Sequence, residues 1–447
     1  MLRCVVLSLT TACSAPAPQQ IGQPAGGFPD PTLGAGGQGG GTTGGGGTTP
    51  GTGTTEVADG VYTETIDGTS SGGGGGGGDG DFVFTQTVHE LVLEIPDGSW
   101  DVLLDQSWGG GEYVGAYLTT PDGVTSEVGI KLTGQSSFQG ITDKPSFKIK
   151  MDFFDETVRW DGLKRFNLHN LTWDGSFTAE ANAYRLYRDM GLAAPRTSHA
   201  RLVVNEQLYG LYSLIENYDG QMMDEWFVND KGNLYEGFGH DMDCCNCFEV
   251  DIDDEGNHDA LGALCDNVLL SGAAWNEAMK ESMDWHALTR ALAAEAWVAH
   301  WDSYSWNLNN FRLYHEPDLD KFFMMPWSTD LSFGWAGPRT PGDPPSCHTY
   351  ATDISEYSYG MVASDCRNDE DCIAEVLAGL EEINVLVDAS AADWGAQIDE
   401  VVALLDPYVQ EDTKKAYTVQ DFYDQNQCFK DFLVARPAEI RAVYPRL

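Results

Sequence analysis

The chain has 447 residues, 69 acidic and 25 basic side chains, and a formal net charge of −44. A charge this negative argues against a nucleic-acid partner and against docking on an anionic membrane surface, because both are bound by clustered lysine and arginine. The hydrophobic share of 42% is enough to bury a sizeable core, which excludes wholesale disorder. The length allows two or three domains of about 100–200 residues, or one large domain with a tail.

The first 13 residues are typical of an export signal. Arg3 precedes a short apolar stretch, and Thr10-Thr11-Ala12-Cys13 is similar to the cleavage box of bacterial lipoproteins. We therefore expect an extracytoplasmic protein, either a cell-envelope lipoprotein lipidated on Cys13 or a secreted protein. In both cases the membrane would be contacted only through such a lipid. An ordinary secretory signal and a misplaced start codon are the alternatives.

Residues 14–81 are rich in Gly, Thr and Pro, with glycine runs such as Gly72–Gly78. Such a segment has too few apolar side chains to offset the entropy of ordering it, and it is predicted to be a disordered linker. The folded domain is predicted to run from residue 82 to 447.

Eight cysteines follow residue 240, and an even number in an exported chain predicts disulfides. The pair bridged most readily is Cys366 and Cys372, which bracket an acidic loop. A metal cluster at Cys244-Cys245-Asn246-Cys247 is the alternative, although no second pair of cysteines mirrors it.

Strands dominate the first part of the predicted domain, where apolar residues run or alternate between Gly, Pro and Asp. The predicted strands are Val88–Ile95, Gly115–Thr119, Val128–Leu132 and Ser146–Asp152. Helical periodicity then predicts a helix over Thr178–Met190, with Thr178 as its N-cap. The sequence Asn205-Glu206-Gln207 predicts a hairpin between Ala200–Val204 and Leu208–Ile215.

From Trp285 the chain is predicted to be largely helical, with one inserted hairpin. The predicted helices are Leu288–Val298, Asn384–Trp394, Gln397–Leu405 and Asp421–Val434, and the hairpin joins Asn310–His315 to Lys321–Pro326. This order predicts an α+β fold for which the two lobes of a protein kinase are a candidate. The β-rich N-lobe would cover about residues 82–217 and the helical C-lobe about 218–447.

The second half carries the residues expected to perform the chemistry. His300-Trp301-Asp302 with Asn307 five residues later has the spacing of a protein-kinase catalytic loop. Phosphoryl transfer needs a carboxylate to accept the hydroxyl proton and an amide oxygen to hold a metal ion. A second metal carboxylate is expected at the end of the hairpin that follows, where Asp330 lies. Each residue alone is also an ordinary turn residue.

The first half is expected to bind the phosphates of a nucleotide. The turn Gly134–Gly140, with Ser136 and Ser137, could present backbone N–H groups to phosphate. Lys148, on the following strand, is chosen as a catalytic phosphate ligand over Lys150 and Lys144. Glu180, in the first turn of the predicted helix, could pair with that lysine. Solvated strand-edge lysines and a helix-dipole glutamate are the alternatives.

Ordered motifs across residues 85–445 resemble the CotH kinase family, the spore-coat CotH-like proteins with an atypical protein-kinase fold. They are Gly134–Phe138 with the Lys148 strand, Leu163–Leu168, Gly191–Arg196, Val204-Asn205, Tyr209–Tyr212, Ile215-Glu216, Asn307–Phe311 and Pro326–Gly334. The resemblance implies a secreted or surface Ser/Thr protein kinase that uses ATP and a divalent metal, Mg²⁺ or Mn²⁺. It places the proton acceptor at Asp302, the metal ligands at Asn307 and Asp330, and Glu216 at the hinge between the lobes.

One position departs from the family pattern. Many relatives read Pro-Trp-Asp-x-Asp where this chain has Ser328 in place of the first Asp. If that first position held the metal, activity would be impaired. We assign the metal to Asp330, because it precedes Leu-Ser-Phe-Gly much as Asp precedes Phe-Gly in ordinary kinases.

The sequence also leaves two other hypotheses about function open. One is a catalytically silent surface protein of the same fold, acting in adhesion or envelope structure. The other is a carbohydrate-binding module, suggested by 13 Trp and 18 Tyr residues, although scattered aromatic residues usually belong to the core. The acidic segment Asp251–Asp259 has the alternating oxygen donors of a calcium loop, but Gly262 stands where the bidentate Glu of an EF-hand belongs.

Overall fold

The structure, a computed structural model, describes residues 80–108, 111–334 and 356–445. The predicted signal with Cys13, the predicted linker up to residue 79, and Cys347 lie outside the described residues. No helix within the described ranges combines the length and the apolar character needed to cross a membrane.

Seven strands of the first half close into a barrel. They are β1 (Val88–Glu94), β2 (Val114–Thr119), β3 (Thr125–Thr133), β4 (Ser146–Lys150), β5 (Arg165–His169), β6 (Thr197–Val204) and β7 (Gln207–Glu216). Their order is β1-β2-β3-β4-β5-β7-β6, and β6 closes the barrel by pairing parallel with β1. Because side chains alternate along a strand, β4 buries Phe147 and Ile149 inside the barrel and leaves Lys148 and Lys150 partly exposed.

The hairpin predicted in the first half is confirmed, and so are the four predicted strands before it. Asn205 and Glu206 connect β6 to β7 with φ angles of 46° and 66°. Two positive φ angles define the turn that suits the right-handed twist of a hairpin. The Asn205 side chain also accepts a hydrogen bond of 2.7 Å from the backbone N–H of Ile95, which ties the turn to the end of β1.

Ten helices lie in the described ranges, most of them in the second half. They are α1 (Asp97–Asp105), α2 (Ala179–Asp189), α3 (Gly220–Trp226), α4 (Asp259–Val268), α5 (Ala273–Ser282), α6 (Trp285–Trp297), α7 (Tyr304–Asn307), α8 (Met361–Asn368), α9 (Glu370–Glu411) and α10 (Val419–Val443). The fold is therefore α+β, with a β-rich first part and a helical C-terminal part.

The long helix α9 corrects one sequence prediction. Asn384–Trp394 and Gln397–Leu405 were predicted as separate helices, but both belong to the 42 residues of α9. The buried face formed by Trp394, Ile398 and Leu405 continues across Gly395, so packing holds the helix through a residue that usually interrupts one. The bridge predicted between Cys366 and Cys372, which joins α8 to α9, is confirmed.

A second, antiparallel sheet lies outside the barrel. Its strands are β8 (Leu234–Gly237), β9 (Glu249–Ile252), β10 (Phe311–Glu316) and β11 (Lys321–Pro326), in the order β11-β10-β8-β9. The β10–β11 pair is the second predicted hairpin, which is confirmed. The connection between β8 and β9 is cross-linked by the disulfides Cys244–Cys247 and Cys245–Cys265.

A buried ion pair fastens the barrel to the end of α9. Lys144 Nζ lies 2.7 Å from Asp412 Oδ2, and the same oxygen accepts a hydrogen bond of 3.0 Å from the Leu211 backbone N–H. A Cβ atom on Gly210 would come within 2.2 Å of the Asp412 carboxylate, so only glycine allows this approach. Lys144, one of the alternatives to Lys148, therefore has a structural partner.

Candidate active site

The loop after α6 brings three amide groups to one carboxylate. Asp302 is 9% exposed, and its Oδ1 accepts a hydrogen bond of 2.6 Å from Asn307 Nδ2. Its Oδ2 accepts bonds of 2.9 Å each from Asn309 Nδ2 and Asn310 Nδ2. Asp302 and Asn307, the predicted proton acceptor and the predicted metal ligand, are therefore in direct contact.

These contacts leave the Asp302 carboxylate able to accept one more hydrogen bond. A carboxylate has about four acceptor positions, and the three amides occupy three of them. Burial raises the pKa of Asp302, while the bonds from Asn307, Asn309 and Asn310 oppose the rise. Because Asn307 donates through Nδ2, its carbonyl oxygen Oδ1 points away from Asp302, and the residue is exposed. That oxygen could serve as a metal ligand.

A buried glutamate on α6 holds this loop in place. Glu295 accepts a hydrogen bond of 3.0 Å from the Ser305 backbone N–H and a second from the Ser305 hydroxyl. Burial raises the pKa of Glu295 to about 7, although the serine hydrogen bonds favour its ionised form. The first residue of the motif, His300, is also buried, which lowers its pKa to about 3 and keeps the imidazole neutral at neutral pH.

Asp330 belongs to a group of four carboxylates that we call the carboxylate cluster: Asp174, Glu180, Asp302 and Asp330. Burial first, and then Glu180, Asp174 and Asp302, raise the pKa of Asp330 well above its usual range. Ser328 donates a hydrogen bond of 3.2 Å to Asp330 Oδ1. The neighbouring carboxylates therefore disfavour the ionised form of Asp330.

The cluster includes Asp174, which the sequence analysis missed. Thr178 is the N-cap residue of α2, as predicted, but its side chain forms no capping bond. Asp174 Oδ2 instead accepts a hydrogen bond of 2.9 Å from the Ala179 backbone N–H. The Thr178 hydroxyl instead donates to Asn426 of α10 at 2.7 Å. An Asp four residues before the predicted cap, in Trp173-Asp174-Gly175-Ser176, was the available signal.

The structure does not bring Lys148 and Glu180 together. The Glu180 carboxylate lies 3.1 Å from His169 Nδ1, and the Tyr184 hydroxyl is 3.4 Å away. Strand register explains the difference, because Lys148 is opposite Asn167 on β5 whereas His169, two residues further, faces α2. The expected lysine–glutamate pair is thus replaced by a histidine–glutamate pair.

Lys148 lies instead in a group that we call the cationic cluster: Lys131, Lys148, Arg165 and Arg312. Burial lowers the pKa of Lys148, the positive charge of Arg312 lowers it further, and Glu236 and Glu249 oppose both effects. Arg312 and Glu236 were missed by the sequence analysis. An arginine within the apolar strand Phe311-Arg312-Leu313 was the signal that could have found the first.

Trp327 joins the two clusters. Its ring lies 5.4 Å from the His169 ring and 4.7 Å from the Arg312 guanidinium. His169 contacts Glu180 on one side, and Arg312 donates to Glu236 at 2.9 Å on the other. Glu180 of the carboxylate cluster and Arg312 of the cationic cluster are therefore joined by one continuous line of contacts.

The remaining predicted residues have local partners. Gly134 has a φ of 111°, and the Ser137 carbonyl accepts a hydrogen bond of 2.9 Å from Asn170, so the turn with Ser136 is anchored beside the barrel. Glu216, at the end of β7, receives Arg196 Nη2 at 2.6 Å on Oε1 and Nε at 3.1 Å on Oε2. The Glu216 backbone N–H also donates to the Arg196 carbonyl at 3.0 Å, so both groups are engaged within the protein.

The donor set suits a divalent ion bound together with phosphate. Among residues 80–108, 111–334 and 356–445, no group of three or more His, Cys, Asp or Glu side chains could hold a metal. Mg²⁺ usually takes one or two carboxylates and completes its shell with water and phosphate oxygens. Asp330 and the amide oxygen of Asn307 are oxygen donors of the kind that Mg²⁺ takes.

The acidic segment Asp251–Asp259 does not form a calcium loop. Asp251 contacts Arg312, and Glu255 Oε1 lies 2.7 Å from His315 Nδ1. Two of the expected donors are therefore engaged by cationic or imidazole groups, which corrects the calcium hypothesis.

Comparisons with known proteins agree with these motifs at the family level. A family model described as CotH kinase protein matches residues 130–440, a range that contains every predicted site residue. No curated protein matches the chain. A solved structure described as a Helicobacter pylori proinflammatory kinase, CtkA, is similar at 8% identity and a TM-score of 0.28, over 75% of this chain and 95% of that chain.

Proposed function

The chain belongs to the CotH kinase family, and from this premise we propose that it is an extracytoplasmic protein kinase. It would transfer the γ-phosphate of ATP to Ser or Thr residues of secreted or surface proteins. The observation that carries the proposal is the hydrogen bond of 2.6 Å between Asn307 and Asp302, with Asp330 in the same carboxylate cluster.

In the proposed reaction, Asp302 accepts the proton of the substrate hydroxyl at the acceptor position that its three amide partners leave open. The hydroxyl oxygen bonds to the γ-phosphorus, and the bond from that phosphorus to the bridging oxygen breaks, which releases ADP. Asn307 and Asp330 would hold Mg²⁺ or Mn²⁺, whose charge would neutralise the phosphate oxygens. Lys148 would contribute positive charge from the barrel side.

The proposed location outside the cytoplasm rests on the export signal with Cys13 and on the disulfides. Three cystines lie within the described ranges: Cys244–Cys247, Cys245–Cys265 and Cys366–Cys372. Disulfides form and persist in oxidising compartments, which supports export. The export signal and the linker remain predictions.

A catalytically silent protein of the same fold is the second candidate, favoured by Ser328. The family pattern that the sequence resembles has a carboxylate at this position, whereas the Ser328 hydroxyl donates a hydrogen bond to Asp330. ATP is also scarce outside cells. Such a protein would bind a partner in adhesion or envelope structure without transferring phosphate.

The test measures transfer of label from γ-labelled ATP in the presence of Mg²⁺ or Mn²⁺. Wild type is compared with Asp302→Ala and with Asp105→Ala, which changes an exposed aspartate of α1. We expect label with wild type and the control only. Equal label with Asp302→Ala would remove Asp302 from the mechanism, and no label with any protein would favour the silent fold.

A further inference from the structure

The loop that carries Asp302 contains a single helical turn, α7, in a backbone that its own sequence does not favour. α7 spans Tyr304–Asn307, and one turn of helix is not stable in isolation. Ala299, Leu308 and Asn310 around it have φ angles of 53°, 55° and 51°, a left-handed conformation that residues other than glycine rarely adopt. Such a backbone persists only where its surroundings fix it. The loop therefore depends on contacts with other parts of the chain.

A carboxylate from the connection between β8 and β9 provides one of these contacts. Asp241 Oδ1 accepts a hydrogen bond of 2.8 Å from the hydroxyl of Tyr304, a fully buried residue. Asp241 Oδ2 accepts a bond of 2.7 Å from the backbone N–H of Met361, the first residue of α8. Hydrogen bonds to a carboxylate are shorter and stronger than those between neutral groups. Asp241 therefore fastens α7 and α8 to the same point.

The residues that lead into α8 also contact α7 directly. The Tyr359 backbone N–H donates to the Ser305 carbonyl at 2.7 Å, and the Val362 backbone N–H donates to the Tyr304 hydroxyl at 3.0 Å. A Cβ atom on Gly360 would come within 2.5 Å of the Tyr304 ring, so this close approach requires glycine. The Tyr304 hydroxyl thus accepts a hydrogen bond from α8 while it donates one to the carboxylate.

The position of Tyr304 determines where the amide partners of Asp302 lie. The backbone N–H groups of Asn307 and Asn309 donate to the Ser303 carbonyl at 2.8 Å and 3.4 Å. These bonds close the turn from which the Asn307 and Asn309 side chains reach the Asp302 carboxylate, at 2.6 Å and 2.9 Å. Because Ser303 directly precedes Tyr304, a displacement of Tyr304 would move both amides relative to Asp302.

Asp241 is itself held by local bonds. The Met242 backbone N–H donates to Asp241 Oδ1 at 2.8 Å, and the Cys244 backbone N–H donates to the Asp241 carbonyl at 3.3 Å. Cys244 is in turn bridged to Cys247. The carboxylate therefore belongs to a cross-linked turn and can serve as a fixed point for the loop.

We propose that Asp241 is a positioning residue of the candidate catalytic loop: through the Tyr304 hydroxyl it holds α7 so that the amide groups of the loop stay on Asp302. The inference rests on the proposed function, because it takes Asp302 as the proton acceptor. A displacement of about 1 Å at a catalytic group can lower a reaction rate about 100-fold. A side chain 63 residues before Tyr304 would thus control the rate of transfer without touching the substrate.

The first test needs no nucleotide and no activity. Hydrogen exchange of backbone amides is measured by mass spectrometry on peptides that cover α7, in the full chain. We expect Asp241→Ala to raise the exchange rate of α7 at least about fivefold, because the helix loses a contact made through a side chain and opens more often. Tyr304→Phe, which keeps the ring and removes only the hydroxyl, should have a similar effect.

Each variant has a matched control. Asp406 on α9 also accepts a hydrogen bond from a tyrosine hydroxyl, that of Tyr423, and Asp406→Ala should leave the exchange of α7 unchanged. Tyr314 is a buried tyrosine whose hydroxyl donates to a backbone carbonyl and accepts a backbone N–H, and Tyr314→Phe should likewise leave α7 unchanged. Unchanged exchange of α7 in both test variants, or an equal rise in the controls, would overturn the proposal.

The second test separates this inference from the proposed function. At a temperature at which every variant is folded, we expect Asp241→Ala and Tyr304→Phe each to lower kcat of phosphate transfer at least about tenfold, and both controls to lower it less than about twofold. The double variant should fall no more than about twofold below the slower single variant, because both changes break the same hydrogen bond.

Multiplied losses of kcat in the double variant, or equal losses in the controls, would overturn the positioning role. Absence of transfer in the wild type as well would refute the proposed function. The exchange rates of α7 would then decide by themselves whether Asp241 fixes the loop.

Discussion

The carboxylate cluster and the cationic cluster are joined through Trp327, yet they compensate charge in different ways. Within the described ranges, the carboxylates receive hydrogen bonds from amides, hydroxyls and one imidazole, as at Asp302, Asp330 and Glu180. In the cationic cluster, Arg312 has Glu236 and Asp251 as direct partners. The carboxylates of the first cluster therefore have no lysine or arginine partner among the described residues, whereas Arg312 of the second is balanced by carboxylates of the protein itself.

The largest expected effect comes from removing one negative charge from the carboxylate cluster. We expect Asp330→Asn to lower phosphate transfer by about 10²-fold or more, since a group that stabilises charge at the reacting phosphate is lost. The same variant should be more stable by about 1 kcal/mol, because repulsion from Glu180, Asp174 and Asp302 is relieved. Labelled-ATP transfer and urea unfolding at pH 8 measure the two effects.

The control for this variant is Asp105→Asn on the exposed face of α1, which should change neither quantity. A loss of stability in Asp330→Asn would contradict the idea that the cluster is strained by like charge.

The next effect concerns the charge balance of the cationic cluster. Arg312→Met leaves Glu236 and Asp251 without their arginine, and we expect the free energy of unfolding to fall by about 3–5 kcal/mol. Arg441→Met, which breaks the half-exposed pairs with Glu381 and Asp388, should cost below about 1 kcal/mol. Similar losses of unfolding free energy in both variants would contradict the expectation that the buried pairs of Arg312 cost more to break than the exposed pairs of Arg441.

A smaller effect should appear as a dependence of stability on pH. The pKa of Glu295 is raised to about 7 in the folded chain, above its usual value of 4.5, so the folded state binds the proton more strongly. The contribution of this group to stability is therefore fully present below about pH 4.5 and is lost as pH rises through about 7. Glu295→Gln should remove this slope, a change of the order of 3 kcal/mol.

Chemical unfolding of both proteins between pH 4.5 and 8 measures the slope. The difference between variant and wild type isolates Glu295 from buried histidines, whose lowered pKa values act in the opposite direction. A difference that does not vary with pH would contradict the raised pKa.

Short-range features of the site could be predicted from the sequence, and long-range ones could not. Asp302 and Asn307 are five residues apart, so a single loop brings them together and their spacing is sufficient evidence. Lys148 and Glu180 meet only if the register between β4, β5 and α2 allows it, and that register places His169 at the helix instead. Periodicity within one strand does not contain this information.

In the fold, too, local features could be predicted from the sequence and long-range features could not. Strands and hairpins with alternating residues were predicted well, because the pattern is local. Closure of the barrel through parallel pairing of β1 with β6, and the pairing of Arg312 with Glu236, join residues far apart in the chain. The prediction divided α9 into two helices around Gly395, because glycine has a low helix propensity. In the structure the helix continues, because tertiary packing buries the face formed on both sides of Gly395.

The cross-linked connection between β8 and β9 makes the environment of Arg312 depend on where the chain matures. Glu236 and Asp251 lie on the two strands that this connection joins, and Cys245–Cys265 ties it to α4. In a cytosol, glutathione would keep these cysteines reduced. The β8–β9 hairpin, which carries both carboxylate partners of Arg312, would then be less restrained. Recombinant material recovered from an oxidising compartment should therefore be the more uniform preparation.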